Sequence, residues 1–368
     1  MAGAPRILVL NIGGTSTKVA IFSGERCHAE ASVPFHPGKP YANLADEVPD
    51  RTAQVRAFLA EQGIGGQAAS DHASFAAAFD IVASRGGILS PLPAGVTRVN
   101  EAMLSDLREN KFGAHASNLS AQVAHALVGD EVPIVIVDPI VVDEFDDVVR
   151  ISGVPGIARA SRLHTLNIRA VAKRAASELG KPFAECSFAV AHLGSGFSIA
   201  AIERGRIKDV TDAQLGEGPF SVNRAGVLPL RGLMKLCYSM PENEVKDLLS
   251  NKSGFQGYLG TSDFREVEAR IDAGDAEAKL VYDAMVYQVA KNAGAYWTAL
   301  KGRGDAILLT GGMTKSERLV RDLREYLDPL ARVMVFPGED EMGALARGAL
   351  AALSGEEPIR KYPGGEPE

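Results

Sequence analysis

Two short glycine-rich turns with hydroxyl side chains are the segments of this chain best suited to binding phosphate. The first is 11–18 (Asn-Ile-Gly-Gly-Thr-Ser-Thr-Lys) and the second is 192–198 (His-Leu-Gly-Ser-Gly-Phe-Ser). Glycine lets the backbone turn sharply and approach a ligand closely, and unpaired amide N–H groups in such a turn attract anions. The phosphate-binding residues predicted from these turns are Gly13, Gly14, Thr15, Ser16, Thr17, Lys18, Gly194, Ser195 and Gly196.

The repetition of this turn is what makes it informative. A glycine turn between two strands is usually a simple hairpin, so one copy would be weak evidence. Two copies predict two similar half-domains that bind one polyphosphate between them, which is a nucleotide site. A third apolar run, 306–314, contains the pair Gly311-Gly312 and precedes a helix predicted to begin near 315–317. The N-terminus of that helix would suit the ribose or α-phosphate of a nucleotide.

Charged side chains follow three apolar runs, at positions where strands are predicted to end. In open α/β sheets, ligands bind at the carboxyl ends of the strands. Arg85 precedes two glycines, and its planar guanidinium suits a carboxylate or phosphate, although such an arginine is often a solvated turn residue. Asp138 is either a direct or water-mediated ligand of Mg²⁺ or the start of an Asx turn before proline. The third charged feature is the acidic cluster 339–341.

Two histidines and a second arginine are further candidates. His192 precedes the second glycine turn, where a donor could meet a transferring phosphoryl group, although a lone histidine is more often structural. His164 is a weaker candidate by the same reasoning. Arg224, in a Gly- and Pro-rich segment, is either a second phosphate clamp or an ordinary loop arginine. The sequence contains no GxSxG, HExxH or CxxC motif and no phosphate loop ending in Gly-Lys-Ser/Thr.

The elements that must position these residues alternate between strands and helices, which predicts an α/β protein. Helical spacing predicts helices over 157–180 and 275–301, and the polar tail after 353 is predicted to be frayed. Apolar runs predict a hairpin over 6–22 and strands at 79–84, 133–137, 187–191, 197–203, 206–210, 305–310 and 331–336.

Length and composition argue against a nucleic-acid-binding, membrane-spanning or disulfide-rich protein. A chain of 368 residues predicts two domains. The formal charge is −7, and no basic stripe with interleaved aromatics points to nucleic acid. No apolar run approaches the length of a membrane span. Three scattered cysteines argue against a disulfide framework or zinc cluster, and the first strand begins too early for a signal peptide, so we expect a cytoplasmic protein.

Taken in order, these segments resemble the acetokinase family, and within it the butyrate kinase branch, of the sugar kinase, actin and Hsp70 superfamily. They are similar to the family's two phosphate segments, its arginine segment, its adenosine segment and a segment that carries a magnesium-associated acid. The resembling segments are 11–18, 84–87, 99–104, 137–145, 150–155, 192–198, 216–224, 310–312 and 337–342.

The resemblance implies a duplicated actin-like ATPase fold, with two similar ribonuclease H-like half-domains and a nucleotide cleft between them. The first domain would be 1–150, completed by 343–368. The second would be 151–342 and would carry the adenosine site. The resemblance also implies a homo-oligomer, as a dimer or a multiple of dimers.

Residue roles follow from the same resemblance. The residues implied to contact the transferring phosphoryl group, or to clamp it and the acyl carboxylate, are Asn11, Arg85, His192 and Arg224. Those implied to organise Mg²⁺ are Asp138 and either Glu341 or Glu339. Gly311 and Gly312 would pack near the adenosine.

The implied reaction is reversible phosphoryl transfer from ATP to a short-chain carboxylate, butyrate or a similar linear or branched acid, giving ADP and an acyl phosphate. Such an acid has a pKa near that of glutamate, about 4.3, so it is an anion at neutral pH and needs no general base. Arginines, amides, an imidazole and Mg²⁺ would neutralise the equatorial oxygens of the transition state.

Departures from the family pattern leave alternatives open. Ile12 stands where proline or cysteine is usual, Gly14 where serine is usual and Ser195 where glycine is usual. The acetate kinase signature Phe-His-Gly-Thr-Ser-His is absent, which favours the butyrate-type branch. One alternative is a kinase of this fold that acts on acetate, propionate or a sugar hydroxyl, the last of which would need Asp138 as a base. The other is a non-enzymatic, ATP-dependent switch.

Overall fold

The computed structural model describes residues 3–36, 41–65, 72–213, 215 and 217–366. The chain divides into two compact units, Met1–Val142 with Asp340–Glu368, and Asp143–Glu339. The borders expected from the resemblance were 150/151 and 342/343. Local pairing explains the first border of the structure. Val142 forms a bridge with Leu92 of the first unit, whereas Glu144 accepts a hydrogen bond from the Ile207 amide of the second at 2.9 Å.

The first unit is a seven-stranded sheet with helices packed against it. Its strands are β1 (Arg6–Ile12), β2 (Ser16–Ser23), β3 (Arg26–Pro34), β4 (Ile81–Ser84), β5 (Val96–Arg98), β6 (Ile134–Val137) and β12 (Ile359–Lys361), in the order β12-β5-β6-β4-β1-β2-β3. Its helices are α1 (Val48–Glu61), α2 (His72–Ala76), α3 (Glu101–Arg108), α4 (Leu119–Val128) and α13 (Glu341–Ser354). Residues 7–12 of β1 are all buried because α4 and α13 both contact this strand, which explains its continuous apolar sequence.

The second unit is a five-stranded sheet with its own helices. Its strands are β7 (Phe188–Leu193), β8 (Phe197–Glu203), β9 (Arg206–Val210), β10 (Ala306–Gly311) and β11 (Val333–Pro337), in the order β11-β10-β7-β8-β9. Its helices are α5 (Asp147–Arg150), α6 (Thr165–Glu178), α7 (Leu230–Ser239), α8 (Glu242–Asn251), α9 (Gly254–Leu259), α10 (Phe264–Asp272), α11 (Ala276–Ala299) and α12 (Glu317–Leu327). No helix in the described ranges combines the length and the apolar character that a membrane crossing requires.

The two units repeat one design, which confirms the predicted pair of α/β halves. The first two strands of each sheet form an antiparallel hairpin closed by a glycine turn, and the last paired residues include Asn11 with Lys18 in one and His192 with Ser198 in the other. In each, a later strand then pairs in parallel with the first strand of the hairpin: β4 with β1, and β10 with β7. The glycine turn of each unit therefore lies at the carboxyl ends of that unit's parallel strands.

The helix predicted over 157–180 is wrong in its first part, because α6 begins only at Thr165. Ile151 and Ala158 pair instead as an antiparallel bridge, and the glycines between them, Gly153 and Gly156, have φ of 95° and 85°. The bridge places Ala158 outside any helix, and the two left-handed glycines form the turn that brings Ala158 back to Ile151. Ile157 is 63% exposed, so the start of the predicted helix has no buried apolar face to stabilise it.

The tail that was predicted to be frayed is ordered where it reaches the first sheet. β12 pairs in parallel with β5, which lies far from it in the sequence. Tyr362 is buried, and its hydroxyl donates to Asp106 Oδ2 at 2.8 Å. The Asn100 side chain donates to Tyr362 O at 2.9 Å. These long-range contacts supply the order that the local composition does not predict.

Candidate active site

In the first unit, four polar side chains meet beside the first glycine turn. Asn11 lies near the end of β1, Lys18 pairs with it from β2, Arg85 directly follows β4, and Glu341 begins α13. The Asn11 amide donates to Glu341 Oε2 at 2.8 Å, and Arg85 Nη1 donates to Asn11 Oδ1 at 3.2 Å. Glu341 also lies 3.5 Å from Arg85 and 3.8 Å from Lys18. One carboxylate thus holds two cations and the buried Asn11 next to the turn.

The two glycines after Arg85 allow the backbone at this position to pack closely against its neighbours. A Cβ on Gly86 would lie 2.5 Å from Pro139 Cβ, and a Cβ on Gly87 would lie 2.4 Å from Asn118 Oδ1. Both distances are too short for a side chain, so the backbone after Arg85 packs directly against its neighbours. The Arg85 side chain itself is 28% exposed, which leaves its guanidinium accessible to a ligand.

The first glycine turn is open on its outer side. Gly13 N–H donates to Ser16 O at 2.9 Å, and Gly14 and Thr15 are exposed. Neither Gly13 nor Gly14 has a positive φ, and a Cβ on Gly14 would meet no atom within 4 Å. The conformation of this turn therefore does not require glycine. What Gly14 provides is open space beside the backbone.

The Thr17 hydroxyl points away from this turn. It donates to Gln54 Oε1 at 2.6 Å and accepts from Arg51 Nη1 at 3.1 Å, and the residue is fully buried. Side chains alternate between the faces of a strand, so Thr17 lies on the opposite face of β2 from Ser16 and Lys18. The prediction that this hydroxyl binds phosphate is therefore corrected: it belongs to a buried network with α1.

Asp138 directly follows β6 and has a φ of 42°. Its Oδ1 accepts the Gly95 N–H at 2.7 Å, and its own N–H donates to Gly95 O at 2.9 Å. Only 6% of the residue is exposed. Asp is among the residues that best tolerate a left-handed backbone. One carboxylate oxygen thus ties the end of β6 to the backbone that enters β5.

In the second unit, two stacked histidines lie beside the second glycine turn. The rings of His164 and His192 are 4.3 Å apart at 28°. His164 Nδ1 lies 2.9 Å from Ser198 Oγ, and His192 Nδ1 lies 3.1 Å from Asn167 Oδ1. That same Asn167 oxygen accepts a hydrogen bond from Thr310 at 3.2 Å. The His192 side chain is 2% exposed whereas His164 is half-buried, so His164 is the more accessible of the two imidazoles.

The buried position of His192 affects its protonation. Burial, with a smaller contribution from the neighbouring His164, lowers the pKa of His192 well below its usual range. Glu339 Oε1 lies 3.4 Å from His192 Nε2 and opposes this shift, but the Glu339 side chain is 40% exposed and solvent screens its charge. His192 is therefore neutral at neutral pH.

The lowered pKa of His192 predicts a loss of stability in acid. The folded protein keeps this ring neutral, whereas the unfolded chain binds a proton near pH 6.5. The unfolded state thus binds more protons below about pH 6.5, and the free energy of unfolding falls with the pH by up to about 1.4 kcal/mol per unit. Urea unfolding from about pH 7.5 to 5.5 should give a shallower slope for His192→Gln than for the wild type. The exposed His28→Gln serves as control, and a wild-type slope in H192Q would contradict the prediction.

Arg224 and His164 both border the second glycine turn at Gly196. A Cβ on Gly196 would lie 2.6 Å from Arg224 Nη1 and 3.4 Å from His164 Cε1. Arg224 is half-buried, and its Nη1 donates to Ala213 O at 2.5 Å. Burial lowers the pKa of Arg224, but a guanidinium remains charged in proteins. The glycine therefore provides the space in which this cation and imidazole approach the turn.

The other residues of the second turn have similar close neighbours. A Cβ on Gly194 would lie 2.8 Å from Glu339 Oε1 and 3.3 Å from His192 Nε2. Ser195 is exposed, and its carbonyl accepts the Ser221 hydroxyl at 3.0 Å. Ser221 belongs to the segment 216–224, whose first residue, Gly216, lies outside the described residues. This hydrogen bond links that segment to the turn.

The two glycines at the end of β10 differ in what they do. Gly311 has a φ of 99°, and a Cβ there would lie 2.3 Å from Leu193 O. Gly312 begins a short 3₁₀ helix, and a Cβ there would meet no atom within 4 Å. The next α-helix begins at Glu317, within the stretch 315–317 where its start is predicted. Gly311 is therefore required by the backbone, whereas Gly312 leaves open space beside it.

This difference predicts unequal effects of two alanine substitutions. Gly311→Ala should lower the free energy of unfolding by about 3 kcal/mol or more, because the methyl group would meet the Leu193 backbone and the φ is unfavourable. Gly312→Ala is the matched control and should change stability by less than about 1 kcal/mol. Urea unfolding of both variants measures this. Equal stabilities would show that the close packing of Gly311 against β7 is absent in solution.

Comparison with known proteins places this chain in a family. A model of the acetokinase family matches residues 156–331. A probable butyrate kinase from Clostridium botulinum (strain Alaska E43 / Type E3) is 40% identical over 364 residues, covering 97% of this chain and 99% of the relative. The chain belongs to the acetokinase family. A second probable butyrate kinase, from Clostridium botulinum (strain Eklund 17B / Type B), matches to the same extent.

Solved structures of this acetokinase's relatives share its fold. Porphyromonas gingivalis acetate kinase superposes with a TM-score of 0.74 at 20% identity, covering 95% of this chain and 100% of the other. A propionate kinase from Francisella tularensis superposes with a TM-score of 0.74 at 18% identity, covering 94% and 98%. The predicted duplicated actin-like fold is confirmed by these likenesses and by the two repeated sheets.

Sequence reasoning missed two polar residues near the turns. Asn167 follows His164 by three residues: His164 is the N-cap of α6, and Asn167 lies in the first turn of that helix. That His-x-x-Asn spacing was the available signal. Arg51 lies within the ordinary apolar spacing of α1 and carries no motif. Only its contacts identify it.

Proposed function

We propose that this acetokinase transfers the terminal phosphoryl group of ATP to a short-chain carboxylate, butyrate or a similar linear or branched acid. The products are ADP and an acyl phosphate, and the reaction is reversible. The observation that carries this proposal is the 40% identity with probable butyrate kinases over 97% of the chain. Membership of the acetokinase family agrees with a kinase whose acceptor is a carboxyl group.

A carboxylate acceptor also suits the state of Asp138. A short fatty acid is already an anion at neutral pH, so no residue has to remove a proton from it. A sugar hydroxyl would need a base, and Asp138 was the candidate. Its Oδ1 instead accepts the Gly95 N–H, and the residue is buried. A carboxylate acceptor needs no such base, so Asp138 can keep this hydrogen bond throughout the reaction.

Two arginines supply the positive charge that a reaction between anions needs. Arg85 and Arg224 each lie beside a glycine turn. We assign to them the clamping of the phosphoryl group and the acyl carboxylate, because guanidinium groups bind both kinds of oxygen in a planar, bidentate manner. Fixed cations and amides stabilise the charge on the equatorial oxygens of a loose phosphoryl transition state.

We assign the phosphoryl contact of an imidazole to His164 in place of His192. His192 is buried and lies against Asn167, whereas His164 is half-buried and borders Gly196 together with Arg224. His192 then acts by stacking on His164 and fixing its ring. Asn11 keeps its proposed phosphoryl contact, with its amide oriented by Arg85 and Glu341.

Carboxylates such as those of Asp138, Glu339 and Glu341 suit Mg²⁺ as hard oxygen donors. Within the described residues, no group of three or more His, Cys, Asp and Glu side chains is arranged to hold a metal ion. Mg²⁺ in nucleotide enzymes is usually bound by one or two carboxylates together with phosphate oxygens. We propose Asp138 and either Glu341 or Glu339 for that role. When bound, Mg²⁺ would neutralise part of the phosphate charge.

The proposal also covers the oligomeric state and the cellular location of the protein. We propose a homo-oligomer, by analogy with the family. We also propose a cytoplasmic protein, because it uses ATP and its cysteines Cys27, Cys186 and Cys237 are all free. Crosslinking or light scattering of the purified protein tests the first.

The proposed function is tested by trapping acyl phosphate as its hydroxamate. Mg-ATP is supplied with straight and branched carboxylates from acetate to valerate, and ADP release is measured in parallel with a hexose. Strong hydroxamate formation with the four-carbon acids is expected. ADP release with the hexose and no hydroxamate would overturn the carboxylate acceptor in favour of a sugar kinase. Nucleotide binding without turnover on any acceptor would favour an ATP-dependent switch.

A further inference from the structure

Arg51 of α1 is a fully buried cation packed behind the first glycine turn. Its side chain is 0% exposed. Nε and Nη2 donate to Glu47 Oε2 at 3.1 and 2.9 Å, and the guanidinium lies 3.5 Å from the centre of the Phe35 ring. Burying a charge is costly unless it is paired and hydrogen-bonded. Both conditions are met here, and the partners include the turn itself.

Arg51 and its stacking partner anchor three consecutive carbonyl groups of the turn. Arg51 Nη2 donates to Gly13 O at 3.1 Å and to Gly14 O at 3.2 Å. The Phe35 N–H donates to Thr15 O at 2.9 Å. All three carbonyls are therefore drawn to the inner side of the turn.

Because peptide groups are planar, fixing these carbonyl groups also fixes the direction of the neighbouring N–H groups. In a trans peptide the C=O of one residue and the N–H of the next point in opposite directions. Holding Gly13 O and Gly14 O against Arg51 thus directs the N–H groups of Gly14 and Thr15 away from it. Both residues are exposed, and neither N–H donates to any residue within the part of the chain that the structure describes.

We propose that Arg51 is a positioning residue that presents the amides of Gly14 and Thr15 to a phosphate of the nucleotide. This inference rests on the proposed kinase function and assigns a residue that acts behind its first turn. The ligand chemistry is an anionic phosphate oxygen, because two adjacent outward N–H groups in an open turn bind such an oxygen. Arg51 does not touch the nucleotide; it acts through the backbone.

An arginine is required for this task, and a lysine is not equivalent. The planar guanidinium offers five donors in a fixed fork, which here reaches Glu47, Thr17 and both turn carbonyls at once. Nη2 contacts Glu47 and both turn carbonyls, while Nη1 contacts Thr17. An ammonium group has its three donors on one atom and cannot reach Thr17 together with the three Nη2 partners. Arg51→Lys therefore keeps the charge but releases part of the turn.

The test compares Arg51→Lys with two controls in steady-state kinetics. Wild-type acyl phosphate formation is measured first, so that inactivity of the wild type counts against the proposed function and not against Arg51. R51K is expected to raise the KM for ATP about tenfold or more while changing the KM for the carboxylate less than about twofold. Arg56→Lys is the matched control, because Arg56 lies on α1 against Phe75, 5.7 Å from its ring centre, and does not contact the turn. It should leave both KM values unchanged.

Glu47→Gln separates an effect on positioning from an effect on stability. This change weakens the partner of Arg51 but leaves the carbonyl contacts in place, so thermal stability should fall while the KM for ATP stays within about twofold of wild type. A KM for ATP in R51K within twofold of wild type would overturn the proposal. So would KM increases in E47Q that track the loss of melting temperature.

Discussion

Replacing Arg85 with alanine is expected to lower kcat/KM for acyl phosphate formation by about 10³-fold or more. Its guanidinium is accessible, borders the first glycine turn and is held by Asn11 and Glu341. Fixed cations aimed at a transferring phosphoryl group are worth roughly 10³ to 10⁵ in rate. The measurement is the initial rate of hydroxamate formation from Mg-ATP and butyrate.

Two further variants sharpen this result. Arg85→Lys keeps the charge but loses the planar fork, so its loss should be smaller, about 10- to 100-fold. Arg108→Ala removes a largely exposed arginine of the same unit, which lies 3.8 Å from Glu101, and should leave the kinetics unchanged. Melting temperatures of all three exclude unfolding as the cause. An R85A rate within threefold of the wild type would remove Arg85 from the site.

Replacing Arg224 with alanine is expected to lower kcat by about 10²- to 10³-fold. This guanidinium approaches the second glycine turn, where it borders Gly196 beside His164. Removing one fixed donor for transition-state charge typically has an effect of this size. Gly196→Ala should cause a smaller loss of about tenfold, because its methyl group would lie 2.6 Å from Arg224 Nη1 and would displace it.

A matched glycine controls for the general effect of adding a methyl group. A Cβ on Gly232 of α7 would meet no atom within 4 Å, so Gly232→Ala should retain wild-type kcat. If G196A unfolds the protein, its kcat is corrected for the folded fraction by circular dichroism. An R224A variant with wild-type kcat, or a G232A loss equal to that of G196A, would contradict the assigned role of Arg224.

The sequence alone predicted the helices and strands that are specified by their own residues. Both hairpins, the strand that contains Gly311 and the long helix α11 follow from apolar runs and helical spacing, and the structure contains them all. The family also follows from the sequence, because segments that resemble those of the acetokinase family occur in the same order along nearly the whole chain. The site roles of Asn11 and Arg85 stay predictions, to be tested as described above.

Elements that depend on distant partners could not be predicted in this way. β5 and β12 are three-residue strands. β5 forms because it pairs with β6, and β12 forms because it pairs with β5, and both partners are distant in the sequence. The segment before α6 reads as helix, but a bridge between Ile151 and Ala158 takes its place. Local propensity is a weak prior, and tertiary pairing overrides it in short elements.

The sequence by itself determined the α/β order, the two glycine turns and the acetokinase family. Only the tertiary structure decided which side chains face the turns. It buried His192 and left His164 accessible, turned the Thr17 hydroxyl towards α1, and placed Arg51 behind the carbonyls of Gly13 and Gly14. Burial and hydrogen-bond partners decide these roles, and both are set by residues that packing brings together from distant parts of the chain.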